Sequence, residues 1–201
     1  MARKIFFIGF NKTGTMTYNA ILKQNGFNGY HYTKWASLSN TGDYESLDNI
    51  IKRYDVFSDG EKPNYKRLDT TYPGSLFILN TRDLKKWLQS RIKHVYREYP
   101  KNAKCWMWCN YIQDPDACIK NWIQQRLDYH YEVRQYFKDR PNDFMVLDID
   151  DPEKITKLSE FIGIPLIWNG STVNARPLDS LGSEYKNLML QEFKRIDRIL
   201  S

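Results

Sequence analysis

The stretch Ile5-Phe6-Phe7-Ile8-Gly9-Phe10-Asn11-Lys12-Thr13-Gly14-Thr15-Met16-Thr17 leaves this chain few ways to begin folding. A short apolar run that stops at a glycine reads as a buried strand. From Thr15 to Asn25, Tyr18, Ile21 and Leu22 share one helical face, and Gly26 supplies the stop. Strand, tight loop and helix in that order aim backbone N–H groups and a helix N-terminus at one point, which suits a phosphate or sulfate. The spacing then sorts among anion loops. The nucleotide-hydrolysing form, G-x-x-x-x-G-K-[ST], puts a lysine and a magnesium-binding hydroxyl directly after its second glycine. Gly9 and Gly14 keep that separation, but Thr15 and Met16 stand in the lysine and hydroxyl positions, and Lys12 lies inside the loop.

A second element has the same logic. Ser75-Leu76-Phe77-Ile78-Leu79-Asn80-Thr81 is another buried-strand run, and it leads into Arg82-Asp83. Leu84, Trp87, Leu88, Ile92, Val95, Tyr96 and Tyr99 follow at helical spacing. Arg82 therefore falls at the carboxyl end of a strand, where open α/β sheets bind ligands. Ser90 lies eight residues on, near the second turn of the helix and off its apolar stripe. An arginine suits phosphate because its planar fork meets two oxygens and stays charged. Taken singly, Arg82 and Ser90 read as solvated surface residues.

Further strands are expected at Asn28–Tyr32, Asp55–Gly60 and Asp143–Ile149. Helices are expected near Tyr44–Arg53, within Glu61–Pro73, from Pro115 with Asp114 as cap, from Asp151 to Gly163, and from Glu184 to Leu200. Thr33–Gly42 reads as a polar loop carrying Trp35. Lys101–Asp114 shows no clean period and reads as an excursion over the site, and Leu166–Leu181 as an irregular return. The fold class is α/β, with a three-layer, mainly parallel central sheet of about five strands and helices on both faces. With 201 residues and no internal linker, one domain over 1–201 is the simplest organisation.

The loop Lys12-Thr13-Gly14-Thr15 closely resembles the K-[ST]-G-T-[TS] signature of sulfotransferases, which use 3′-phosphoadenosine 5′-phosphosulfate (PAPS) as donor and release adenosine 3′,5′-bisphosphate (PAP). The Arg82/Ser90 pair resembles the arginine and serine with which that family holds the 3′-phosphate. Phe144–Asp148 and the run Phe161-Ile162-Gly163-Ile164-Pro165 are similar to its later strand and helix. The resemblance implies a sulfuryl transfer to a hydroxyl or amine, in a P-loop NTPase-like fold that needs no metal. It implies that Lys12 contacts the bridging oxygen as the sulfuryl group leaves. Within the loop Asn11–Thr17, the amides of Thr13, Gly14, Thr15, Met16 and Thr17 would hold the 5′-phosphate. It also places Asn174 and Arg176 in a loop that closes over the nucleotide.

Such a transfer needs a base at a strand end facing the loop. Asp59 ends the third strand, and small sulfotransferases carry an aspartate there in a D-x-P context, although Pro63 comes later here. His31 ends the second strand with a side chain that titrates near neutrality. An Asp-Gly turn and a packed histidine are the plain structural readings of the two. His130 could reach the acceptor from the lid side or simply pack in the core, and His94 reads as helix surface.

Two other functions compete. A P-loop kinase of a nucleotide or small metabolite would share the fold, but lacks its lysine and hydroxyl at Thr15-Met16. A basic nucleic-acid-binding module is compatible with 30 Lys+Arg against 24 Asp+Glu, yet the cations are dispersed among acids. Aromatic residues are 15% of the chain, and those between Trp106 and Trp122 suit either an apolar or glycan-like acceptor or core packing. Cys105, Cys109 and Cys118 form neither a paired motif nor a zinc set, and read as reduced thiols of a cytoplasmic protein. No run approaches the roughly 20 apolar residues of a membrane span. The expectation is a soluble enzyme with a small-molecule or glycan-like acceptor and neither nucleic acid nor membrane as partner.

Overall fold

The computed structural model describes residues 3–98, 106–170 and 183–201, with backbone alone at 98 and 106–109. In chain order the elements are β1 (Ile5–Phe7), α1 (Thr15–Gln24), β2 (Gly29–His31), α2 (Lys34–Thr41), α3 (Tyr44–Ile51), β3 (Val56–Ser58) and α4 (Tyr65–Thr71). They continue as β4 (Leu76–Thr81), α5 (Leu84–Glu98), α6 (Trp106–Gln113), α7 (Pro115–Tyr136), β5 (Phe144–Asp148), α8 (Lys154–Ile162) and α9 (Ser183–Leu200). The packing divides into two units, one from Met1–Arg82 and Tyr129–Val173, the other from Asp83–Asp128 and Asn174–Ser201.

The first unit holds a five-stranded sheet in the order β2-β3-β1-β4-β5, parallel throughout. Parallel strands covered on both faces read as unbroken apolar runs, and Ile5-Phe6-Phe7 and Leu76-Phe77-Ile78-Leu79 are buried along their length. The two-residue period sorts their side chains. Ile5, Phe7, Leu76, Ile78 and Leu147 point to the face covered by Tyr18, Ile21 and Leu22 of α1 and Leu158 of α8. Phe6, Phe57 and Phe77 point the other way, against Trp35 of α2, Tyr72 and Phe137. Each fully buried aromatic or aliphatic side chain contributes about 2 kcal/mol, so this sheet can hold strained residues at its carboxyl edge.

The second unit is helical. Trp87, Leu88, Ile92 and Val95 of α5 are buried, and α9 packs along that helix. Tyr111 of α6 stacks on Trp122 of α7, and the Arg91 guanidinium lies 4.6 Å over the Trp122 ring. Tyr111 and Trp122 therefore belong to core packing, the second of the two readings open to this aromatic segment. Asp114 caps α7 through the Ala117 amide, and Asp83 caps α5 through Lys86.

Two expected loops are helices. Thr33–Gly42 forms α2, in which Trp35, Ala36 and Ser39 make a narrow buried face and Gly42, at φ 80°, ends it. Trp106–Gln113 forms α6, with Tyr111 fully buried. Both are eight residues long, too short for a 3.6-residue period to stand out from one or two inward aromatics. Residues 101–105 and 171–182 lie outside the described residues. Among the described residues, no helix is long and apolar enough to cross a membrane.

Candidate active site

The chain order places the candidate loop before any side chain is considered. β1 is followed in the sheet by β3 and β2 on one side, and by β4 and β5 on the other. The boundary between β1 and β4 is the switch point where an α/β sheet opens a crevice at its carboxyl edge. The register sets Phe7 beside Ile78, so the loop leaves β1 next to the end of β4. Asn80 exploits that neighbourhood. It is fully buried, its Oδ1 accepts from the Gly9 amide at 2.8 Å, and its Nδ2 donates to the Phe10 carbonyl and the Thr13 hydroxyl. The Thr13 hydroxyl donates in turn to the Phe10 carbonyl.

So clamped, the loop takes a conformation its sequence does not favour. Lys12 has φ 65°, in the left-handed region, at a cost of about 1–2 kcal/mol for a residue with a Cβ. Gly14 follows at φ 85° as the N-cap of α1, and a Cβ there would fall 2.4 Å from the Ile149 side chain. No side chain caps the first turn of α1, and no acidic residue lies in it. Its backbone donors thus keep the positive end of the helix dipole available for an anion. Thr13, Thr15 and Thr17 are buried, Asn11 is half-buried and Met16 is exposed.

On the other side of β1, β3 and β2 end together. Their register pairs His31 with Ser58, and His31 Nδ1 lies 2.8 Å from the Ser58 Oγ. The next residue, Asp59, has φ 66°, which an aspartate tolerates better than most side chains. The Trp35 indole donates to the Ser58 carbonyl at 3.0 Å and lies where a Cβ on Gly60 would have to go. This frame turns the Asp59 carboxylate toward His31, whose Nε2 is 4.0 Å from Oδ2. Burial raises the Asp59 pKa, against the pull of His31, Lys12 and a hydrogen bond from Thr15. Burial lowers that of His31, where Asp59 acts in the opposite sense and Lys23 and Lys12 act with it. Lys12, Asp59 and His31 therefore share one electrostatic neighbourhood, built from the ends of β1, β3 and β2.

Arg82 follows β4 at the same edge, with its Nε 3.4 Å from Asp150 Oδ2 just beyond β5. Ser90 is half-buried on α5 of the other unit. Asn174 and Arg176 lie outside the described residues. His130 of α7 packs 6.0 Å from the Phe10 ring, centroid to centroid, and the Lys62 ammonium, on a residue at φ 48°, lies 5.9 Å from the centroid of the same ring. His94 pairs with Arg97 at 2.7 Å on an exposed stretch of α5. Asn80, Ser58 and Trp35 were not singled out from the sequence. The signal for Asn80 was an amide at the end of an otherwise apolar strand. Ser58 carried none, since only the strand register brings it to His31. A depression of about 480 Å³ beside β2, lined by Tyr30, Lys34, Arg53 and Tyr54, contains none of the loop residues. Among the described residues no three His, Cys, Asp or Glu side chains gather as a metal site.

The comparisons with known proteins bear on this arrangement. The chain is similar over its whole length to a sulfotransferase from Alicyclobacillus acidocaldarius, whose crystal structure matches with a TM-score of 0.57. That match covers 99% of this chain and 96% of the other, at 16% identity, so it speaks for the fold. A search of curated proteins finds no match. A family model described as the sulfotransferase domain matches residues 4–165, which takes in the candidate loop, Asp59, Arg82 and every strand of the sheet, and the chain accordingly belongs to the sulfotransferase family.

Proposed function

We propose that this protein transfers a sulfuryl group from PAPS to a hydroxyl or amine of a small-molecule or glycan-like acceptor, releasing PAP. The observation that carries this reading is the shared neighbourhood of Lys12, Asp59 and His31 beside the uncapped start of α1. A cation, a row of amide donors and a carboxylate with a raised pKa are what the reaction asks of a protein. The uncapped first turn fits an anionic phosphosulfate, and the amides of Thr13–Thr17 would hold its 5′-phosphate. Arg82 and Ser90 would hold the 3′-phosphate, with Asn174 and Arg176 as further contacts. When bound, PAPS supplies a sulfuryl group whose bond to the phosphate oxygen breaks as the bond to the acceptor forms.

The residues then divide the work. Lys12 sets its ammonium against the negative charge that develops on the departing phosphate. Asp59 takes the acceptor's proton on its carboxylate, and His31 is the second candidate for that role. The reaction is assigned to a reducing cytoplasm, in keeping with the free buried thiol of Cys118, whose pKa burial pushes up to about 11.

Calorimetric titration separates this reading from phosphoryl transfer. PAP should bind without added metal with a dissociation constant on the order of micromolar. Binding of ATP with magnesium in preference to PAP would instead favour a kinase. Arg82→Ala should weaken PAP far more than adenosine 5′-phosphosulfate, and equal losses would remove Arg82 from the 3′-phosphate.

A further inference from the structure

The Ser58 hydroxyl is fully buried and, among the described residues, makes one hydrogen bond, to His31 Nδ1 at 2.8 Å. A buried hydroxyl hydrogen without an acceptor costs the desolvation of that donor, whereas a hydroxyl oxygen readily leaves a lone pair unused. The Ser58 O–H therefore donates to Nδ1, and the single proton of the neutral imidazole sits on Nε2. The charges around the ring agree. The Asp59 carboxylate faces Nε2 and attracts a proton there, while Lys12 and Lys23 oppose a second proton on the ring.

We propose that Ser58 is a positioning residue that makes His31 a hydrogen-bond donor at the acceptor oxygen, leaving Asp59 as the base. The tautomer stands on the geometry alone; the assignment of the base rests on the sulfotransferase reading. The 4.0 Å gap between Nε2 and Oδ2 is too wide for a direct hydrogen bond, and one oxygen fits between them at about 2.8 Å from each. In that position the acceptor oxygen accepts from Nε2–H and gives its own proton to Asp59 Oδ2. The electron pair so released forms the new bond to sulfur, and the phosphate oxygen keeps the pair of the bond that breaks. His31 keeps its proton throughout.

The tautomer is read directly from long-range proton–nitrogen NMR spectra of the full chain without ligand, above the titration of the ring. The chain has three histidines, and His31→Gln identifies the signal. The expected pattern is protonated Nε2 and bare Nδ1. Ser58→Ala should convert it to a mixture of tautomers, and Ser58→Thr, which keeps the hydroxyl, should restore it. A protonated Nδ1 in the unaltered protein, or a spectrum unmoved by Ser58→Ala, overturns the proposal. Release of PAP from PAPS with water as acceptor tests the base: Asp59→Asn should slow it about a hundredfold or more, and His31→Gln, whose amide still donates, about tenfold. The reverse order makes His31 the base. Because the spectra use no donor or acceptor, they fail independently of the sulfotransferase reading, which PAP binding tests.

Discussion

Lys12 and Asp59 occupy left-handed backbone at the ends of neighbouring strands, where glycine would be at ease. Strain of about 1–2 kcal/mol at each is bearable because what surrounds them is over-determined by the Asn80 clamp and the Trp35 frame. Lys12→Ala keeps the backbone and removes the ammonium, so sulfuryl transfer should fall at least a hundredfold. Its circular dichroism and melting temperature should stay close to those of the parent, and full activity would remove Lys12 from the reaction. Asp59 offers a sharper test because its effects on rate and stability have opposite signs. Its pKa in the folded chain is raised above the unfolded value, so the native state binds the proton more tightly and the carboxylate destabilises the fold once ionised. That loss is absent below the ordinary carboxylate pKa and complete above the raised one. Asp59→Asn, which also suits left-handed backbone, should therefore melt higher at pH 7, by a margin that vanishes in acid, while losing activity. A lower melting temperature at pH 7 would show that the carboxylate stabilises the site.

At the scale of elements, the legible parts were those whose signal is local. Ile5–Ile8 and Leu76–Leu79 declared themselves as strands because both faces are covered, and Gly9 and Gly14 marked the turn between β1 and α1. Lys12 could be named because it lies inside the loop that follows the first strand, and Asp59 and His31 because each stands at the end of one. Their meeting could not, since it depends on β3 inserting between β2 and β1, an order that no stretch of sequence records. Asn80 and Ser58 act across the sheet in the same way, Ser58 on a residue of the neighbouring strand β2 and Asn80 on the loop that leaves the neighbouring strand β1. α2 and α6 were hidden because one or two inward aromatics do not make a period. Asn80 also yields a prediction. Asn80→Leu would strand the Gly9 amide and break the hold on Phe10 and Thr13, costing about 2–4 kcal/mol in urea unfolding. PAP affinity should fall with it, because the loop loses its fixed shape; unchanged affinity would mean that the loop is shaped by its own turns.

Across the whole molecule, the acids sort by what they do to stability as pH changes. Asp69 of α4 is the counterpart of Asp59. It accepts two bonds from the Arg140 guanidinium, at 2.6 and 2.8 Å, and one from the Tyr136 hydroxyl at 2.8 Å, while Arg140 also donates to Asp143. These bonds, the Arg140 guanidinium first, outweigh burial and hold its pKa below the ordinary 3.8. A lowered folded pKa means stability that is present above the ordinary value and lost as pH falls through the folded one. The ion pair ties α4 to the turn before β5, far from any residue assigned to catalysis, so its loss should lower stability without touching the chemistry. Asp69→Asn should cost about 2 kcal/mol at pH 7, and the difference from the parent should shrink as both are titrated toward pH 2. Urea unfolding at a series of pH values measures it directly. A difference that stays constant down to pH 2 would mean that Asp69 contributes through packing and shape, with its charge irrelevant.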